Sequence, residues 1–373
     1  MRILVVNEYA GKLGGVEQYL ANIVPALRQR GHQLSLLYER LAPREGPEFL
    51  GLFDGQYQNL DAALADFNPE VLFLHRVSTI QPYVQLAQRR VRYIHDHDLC
   101  CPRRHKYYVW NGQACHHKAD WRCWMDLAFV RRDRSKPLGL AWVSLADHQQ
   151  ELKAHQKLDA LLVGSRAMQS ELAMNGLTRA QVVPPLIPLE EHAPSPPAKA
   201  RILYVGQLIR GKGVDLLLSA LEGLPGDWSA CLVGDGNARP ALEKQILRKG
   251  LSARVQLVGW VSAEELHQHY QEAQLVVVPS RWPEPFGMVG LEAMNWSKPV
   301  VGFDIGGIPD WLEHGKTGWL VPEGDCRALG AAIQHLLERP ELCQQLGQQA
   351  QVRLRESFGF DPMITRLEGV LRG

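Results

Sequence analysis

Two carboxylates, Glu284 and Glu292, stand on either side of a glycine turn in the stretch Pro279-Ser280-Arg281-Trp282-Pro283-Glu284-Pro285-Phe286-Gly287-Met288-Val289-Gly290-Leu291-Glu292-Ala293-Met294. Carboxylates accept hydrogen bonds from hydroxyls, so two of them suggest a polyol ligand such as a sugar or a ribose. The run Gln274 to Val278 before them is short, apolar and Val-rich, as a buried parallel strand is. Gly287 to Asn295 has the Met, Leu and Ala content of a helix opening. The loop between them leaves the carboxyl end of a strand, where open α/β sheets bind their ligands. The amides from Phe286 to Val289 are then donors at a helix start, suited to an anionic or hydroxyl-rich ligand.

The elements that must hold these groups alternate along the chain. Ile3–Val6, Leu34–Tyr38, Val71–Leu74, Arg92–Ile94, Ala160–Val163 and Gln181–Val183 read as strands, with helical patterns such as Gly15–Arg30 and Ser165–Asn175 between them. Such alternation implies a doubly wound parallel sheet. It stops at a Pro-rich stretch that includes Pro184, Pro185, Pro188, Pro194, Pro196 and Pro197, read as a linker over 188–200. It resumes with strands near Arg201–Val205, Ala230–Val233, Val255–Val258, Gln274–Val278, Pro299–Gly302 and Trp319–Val321. Helices follow at Asp325–Leu337, Glu341–Phe358 and Pro362–Leu371. The expected organisation is therefore an α/β domain over 1–187, a linker, a second α/β domain over 201–358, and a last helix over 359–373. Strand ends of two such domains facing a cleft make a natural ligand site.

Composition sets the outer bounds. A chain of 373 residues is too long for one core, and 46% hydrophobic with 22% charged residues is ordinary for a folded protein. A net charge of +1 argues against a general nucleic-acid binder. No run of about 18 apolar residues suggests a membrane span. Met1-Arg2 leads straight into Ile3-Leu4-Val5-Val6, too short for a signal core, so a cytoplasmic protein is expected. Seven cysteines spread over the chain argue against a disulfide framework.

An ordered set of motifs then supports a resemblance. It comprises Pro279 to Met294, Lys298-Pro299-Val300-Val301, Gly306-Gly307-Ile308-Pro309, Gly315-Lys316-Thr317-Gly318 and Leu320-Val321-Pro322. To these are added Gly206-Gln207-Leu208, Lys212-Gly213, Gly234-Asp235-Gly236, Gly14-Gly15-Val16-Glu17 and His95-Asp96. The chain resembles the retaining family-4 glycosyltransferases over nearly its whole length. That resemblance implies the GT-B fold, two Rossmann-like domains facing a cleft, with closure over the donor.

It also implies roles. Glu284 would contact the donor sugar and Glu292 the nucleotide ribose. Lys212, between Gly211 and Gly213 at a helix start, would offset the charge of a departing diphosphate. Gln207 stands where the family often has Arg, and Arg210 could supply the missing cation. Gly14 and Gly15 would bring backbone amides close to phosphate or acceptor, although a plain turn explains the pair equally well. Glu17 would support the helix start that follows. His95 would approach the donor sugar. The nucleotide base would lie near Trp260 and Val261, and Ser165 would cap its helix. Asp96-His97-Asp98 spells the D-x-D metal motif of the other major glycosyltransferase fold, and three letters are too few to outweigh the architecture.

Cys100, Cys101, Cys115 and Cys123 cluster near His116 and His117, but without a CxxC. A structural zinc at Cys101, Cys115 and Cys123 and free thiols in an acceptor loop both remain open. This Cys-rich insertion, about 97–136, lies within a basic stretch from Arg89 to Lys136 that holds twelve Lys/Arg against five acids. Tyr107, Tyr108, Trp110, Trp121, Trp124 and Phe129 are interleaved. An anionic membrane surface or a lipid-diphosphate acceptor is one reading and a solvated basic face the other.

The sequence thus points to transfer of a sugar from a UDP-, GDP- or ADP-sugar to a glycan or lipid-linked acceptor with retention. No cofactor is required for catalysis and no nucleic acid is expected as a partner. The enzyme would stand in the cytoplasm, at the inner face of the membrane if it is peripheral, in polysaccharide or glycolipid assembly. A nucleotide-sugar epimerase or phosphorylase of the same fold and a non-catalytic partner subunit are the rivals.

Overall fold

A computed structural model describes residues 1–11, 14–42, 46–108, 110–125, 130–132, 139–189 and 200–373. Most of the expected linker lies outside the described residues, as do Phe129 and Lys136. The described residues form two compact units. One comprises Met1–Lys106, His116–Pro188 and Phe360–Gly373, and the other Tyr107–Cys115 and Leu189–Gly359.

The first unit is built on a parallel sheet of seven strands. In spatial order they are Gly55–Tyr57, Gln33–Leu41, Arg2–Ala10, Val71–Leu74, Arg89–Ile94, Ala160–Val163 and Ala180–Val182. Side chains alternate across a strand, so the apolar run at the start of the chain serves both faces. Ile3 and Val5 join a core with Tyr19, Leu20 and Leu27 of the helix Gly15–Gln29. Leu4 and Val6 join the opposite core with Leu72, Leu74, Met168 and Leu172. The helix Phe360–Arg372 inserts Ile364, Leu367 and Leu371 into the first of these cores, at helical spacing. Its Glu368 carboxylate accepts from Arg30 at 2.8 Å.

The second unit is a parallel sheet of six strands. Their spatial order is Val255–Gly259, Ser229–Val233, Arg201–Val205, Leu275–Val278, Val300–Phe303 and Gly318–Val321. Numbered within the unit this is 3-2-1-4-5-6, the doubly wound Rossmann order. The alternation read from the sequence holds in both sheets. The sequence reading missed the edge strand Gly55–Tyr57, whose three residues carry no apolar run, and an antiparallel pair, Val130–Arg132 with Leu140–Trp142. Several strands also run further than expected; Arg2–Ala10 continues past its apolar stretch through Asn7, Glu8 and Tyr9.

Candidate functional site

In the second sheet the strand order reverses between Arg201–Val205 and Leu275–Val278. A crevice opens at such a reversal, beyond the carboxyl ends of the strands. The two loops leaving these strands are Gly206–Gly213 and Pro279–Gly287, and both had been singled out in the sequence. They are stitched together by backbone. Arg281 and Trp282 both donate their amides to the Gly211 carbonyl, at 3.0 and 3.1 Å. Gly213 has φ +67°, and a Cβ there would sit 1.8 Å from the Pro279 carbonyl oxygen, so only glycine allows this approach.

The stitching sets two charges together. Lys212 Nζ donates to Glu284 Oε1 at 2.7 Å, and the Ser280 hydroxyl donates to the same oxygen. Glu284 is 4% exposed, whereas the Lys212 side chain keeps 27% of its surface. Burial works to raise the Glu284 carboxyl, but Lys212 and the hydrogen bonds from Ser280 and Trp282 outweigh it and hold the group below its usual range. Gly306 packs on the Glu284 backbone so closely that a Cβ would lie 2.5 Å from its N and O, and the Glu284 carbonyl accepts from Gly307 at 2.7 Å. The carboxylate is therefore fixed, and the ammonium it holds still reaches the surface.

Glu292 lies on the helix Met288–Asn295, which follows directly. The Tyr270 hydroxyl donates to Glu292 Oε2 at 2.9 Å, and burial pushes the carboxyl above its usual range despite that bond and His267. The helix begins at Gly287, in the left-handed region, with no side-chain cap. Helix-start amides without such a cap favour an anion or a hydroxyl. Met288 and Val289 are partly exposed at this start. Phe286 serves packing: its ring is buried and its carbonyl accepts from Trp311 Nε1 at 2.7 Å.

The remaining expected donor residues follow strands of the same sheet, at their carboxyl ends. Gln207 and Arg210 are exposed on the first loop, and the Gln207 carbonyl accepts from the Tyr204 hydroxyl at 3.0 Å. Trp260 and Val261 follow the edge strand Val255–Gly259, at the same carboxyl end of the sheet. Tyr107–Cys115 joins this unit without any local pattern that marks it. Gly112 approaches Arg210 and Arg281, Tyr107 packs near Gly211, and the Ala114 amide donates to Glu323 at 2.9 Å. Arg281 itself is paired to Asp215 at 2.7 Å.

In the first unit the strand order reverses between Arg2–Ala10 and Val71–Leu74. Gly14 caps the helix Gly15–Gln29; its amide donates to Glu17 Oε2 at 3.1 Å, and Asn7 Nδ2 donates to Glu17 Oε1 at 3.1 Å. Glu17 thus braces the helix start from a buried position. A Cβ on Gly14 or Gly15 would meet no described atom within 4 Å, so the described packing does not require glycine at either position.

His95 follows the strand Arg89–Ile94 and is half-buried in an aromatic cluster with Tyr19 and Tyr93. Its Nε2 lies 2.8 Å from Nδ1 of His75, which directly follows the apolar strand Val71–Leu74 and was not singled out in the sequence. Burial, helped by Arg92, lowers the His95 imidazole to about 3. The neighbouring acids are occupied within the protein. Asp98 pairs with Arg92 at 2.9 Å, and Asp96 Oδ1 accepts the Asp98 amide at 2.8 Å. Burial and Asp98 push the Asp96 carboxyl up to about 6; burial works to raise Asp98 too, but Arg92 and Arg104 keep it below the usual range.

The seven cysteines form no disulfide, and among the described residues no group of three or more His, Cys, Asp or Glu could hold a metal ion. Cys101 and Cys123 belong to the first unit and Cys115 to the second. Much of the basic stretch is used internally. Arg89 donates to the Val370 carbonyl, Arg90 pairs with Asp159, Arg122 with Asp120, and Lys106 is fully buried against Glu171 at 2.9 Å. Trp110, Trp121 and Trp124 are exposed. Among the described residues no helix is long and apolar enough to cross a membrane.

Residues 189–353, which include Lys212, Glu284 and Glu292, match the family model of the glycosyl transferases group 1. The chain carries a glycosyl transferases group 1 domain. An alpha-D-kanosaminyltransferase of Streptomyces kanamyceticus is 34% identical over 174 residues, 46% of this chain and 45% of that protein. The chain thus spans less than half the length of that relative. Over 371 residues, 92% of this chain and 91% of the other, it is 26% identical to a GDP-mannose-dependent alpha-(1-6)-phosphatidylinositol monomannoside mannosyltransferase of Mycolicibacterium smegmatis. Among solved structures, sucrose-phosphate synthase from Thermosynechococcus elongatus superposes with a TM-score of 0.75 at 19% identity, covering 100% of this chain and 98% of that one. HepE of Anabaena in complex with UDP gives 0.74 at 20% identity, with 100% of both chains covered. The fold of the chain is GT-B, two Rossmann-like doubly wound units.

Proposed function

We propose that the chain is a glycosyltransferase that moves a sugar from a nucleotide-diphosphate sugar to an acceptor hydroxyl with retention of anomeric configuration. The observation that carries this reading is the Lys212–Glu284 pair at the strand reversal of the group 1 domain, followed directly by the uncapped helix start at Gly287. Lys212 and the amides of Met288 and Val289 would take the charge of the departing diphosphate. Glu284 would accept from sugar hydroxyls and Glu292 from the ribose, with the base near Trp260 and Val261. Gln207 and Arg210 would flank the phosphates. The acceptor hydroxyl would attack on the face that the diphosphate leaves, passing its proton to the leaving phosphate oxygen. Catalysis would then consist of positioning and charge stabilisation, with no metal.

The first unit would receive a glycan or lipid-linked acceptor, with Gly14 and Gly15 close to phosphate or acceptor and His95 approaching the donor sugar. The exposed Trp121 and Trp124 in a basic stretch support contact with anionic lipid, and the internal use of Arg90, Arg92 and Lys106 tempers it. The mannosyltransferase relative, which acts on a phosphatidylinositol monomannoside, supports a role in cell-surface glycan assembly.

The test is product analysis with UDP-glucose and GDP-mannose, each with and without glycan and lipid acceptors, in the presence of a chelator. Acceptor-dependent release of the nucleoside diphosphate, with an α-linked product from an α-linked donor, is the expected result. Conversion of the donor's sugar without any acceptor would instead identify an epimerase.

A further inference from the structure

His75 is 1% exposed, and its amide donates to the Val6 carbonyl at 2.9 Å, so its backbone is fixed to the first strand. Its ring is held by Phe73, Tyr19, Tyr93 and His95, with centroids 4.2 to 6.3 Å away. Its Nδ1 lies 2.8 Å from His95 Nε2. Burial lowers His75 well below the usual histidine range, with His95 and Arg92 adding to the effect, and His95 falls to about 3. Both rings are therefore neutral near pH 7, and the contact between them holds one hydrogen.

Two arrangements satisfy that contact. Either His75 Nδ1–H donates to His95 Nε2, or His95 Nε2–H donates to His75 Nδ1. The second places the hydrogen of His75 on its Nε2, and that atom is buried without a hydrogen-bond partner among the described residues. A buried N–H with no acceptor costs more than an unused ring lone pair, and orphaned donors are rare in folded proteins. The first arrangement leaves a lone pair on His75 Nε2 and puts the hydrogen of His95 on Nδ1. His95 is the partly exposed member, and its Nδ1 makes no hydrogen bond among the described residues.

We propose that His75 is a positioning residue that locks His95 in the Nδ1–H tautomer, so that His95 offers a hydrogen-bond donor to a sugar hydroxyl. This rests on the reading of the chain as a nucleotide-sugar enzyme. It explains why a histidine is buried at the end of an apolar strand, and it predicts the direction of the bond that His95 makes. A hydroxyl oxygen accepts from it; an ammonium or another bare donor would find no acceptor there.

Two-bond 1H–15N correlation spectra of the histidines in the full chain test the tautomer without any assay. His95 is assigned by loss of its signals in His95→Gln. A protonated Nδ1 and bare Nε2 on His95, with the same pattern on His75, is expected; a protonated Nε2 on His95 overturns the proposal. Binding gives the second arm. His75→Phe should weaken UDP-glucose or GDP-mannose about tenfold while leaving UDP or GDP affinity unchanged. His75→Asn, which keeps an N–H donor near the Nδ1 position, should recover most of that loss. Equal loss in both variants, with both folded by circular dichroism, also overturns it. If no nucleotide or nucleotide sugar binds the wild type, the functional reading falls, and the spectra alone still decide the tautomer.

Discussion

Lys212 Nζ and Glu284 Oε1 meet at 2.7 Å, although 72 residues separate them in the chain, because each lies on a loop that leaves a strand beside the same strand reversal. Glu284 is buried and Lys212 is not, so Glu284→Gln takes the counter-charge away from a cation that still reaches the surface. Glu284→Gln should lower kcat/KM by about a hundredfold, the scale at which lost electrostatic positioning is felt in transition-state stabilisation. Lys212→Ala should lower mainly kcat, with the affinity for nucleotide less affected. Steady-state kinetics on both variants check this.

The pH dependence of stability follows from the same carboxyl. The folded-state value of Glu284 lies below the unfolded one, so ionised Glu284 stabilises the fold above the unfolded value of about 4.3, and that contribution disappears as pH falls through the folded value. Urea unfolding of wild type and Glu284→Gln should therefore show a gap that is full at neutral pH and closes on acidification.

Glu292 has the opposite sign. Burial raises its folded value, so the folded chain binds a proton more tightly than the unfolded one. Stability should fall as pH rises from the unfolded value to the folded one and stay lower above it. Glu292→Gln is expected to raise the melting temperature of the ligand-free chain at neutral pH while weakening nucleotide binding, the trade-off of a carboxylate kept for its ligand. Thermal melts with and without UDP or GDP separate the two effects.

Gly213 admits no side chain. With φ +67° and a Cβ position 1.8 Å from the Pro279 carbonyl oxygen, Gly213→Ala must part the two loops or strain the backbone, at a cost of about 1–3 kcal/mol. kcat should fall with it, because Lys212 is the neighbouring residue. Chemical unfolding and steady-state kinetics measure the two losses.

Lys106 and Glu171 form an ion pair at 2.9 Å in the first unit, with the Lys106 side chain fully buried and its backbone in the left-handed region. Glu171→Ala strands a buried ammonium and should destabilise by about 3–5 kcal/mol, whereas replacing both residues by Met should cost far less. Unfolding midpoints of the single and double variants decide between these sizes.

The alternation of short apolar runs with amphipathic stretches made both sheets readable before any coordinates, because buried parallel strands must be apolar on two faces. The edge strand Gly55–Tyr57 escaped because an edge needs no such run. Glu284, Glu292 and Lys212 were legible as glycine-flanked polar residues after strands, but the pairing of Lys212 with Glu284 was not, since it joins two separate motifs. His75 was hidden for a different reason: its neighbours Val71–Leu74 are apolar, and only the fold brings His95 to it. The packing of Tyr107–Cys115 into the second unit rests on contacts as distant as Ala114 with Glu323, which no local pattern encodes.

The most direct measurement is calorimetric titration of the full chain with UDP, GDP, ADP and their common sugar conjugates, in the presence of a chelator. Saturable binding of one nucleotide series is expected, unaffected by the chelator and weakened at least about tenfold in Glu292→Ala, the loss of roughly one charged hydrogen bond. Absence of binding by every one of these ligands, or equal binding in the wild type and Glu292→Ala, would contradict the assignment of this site.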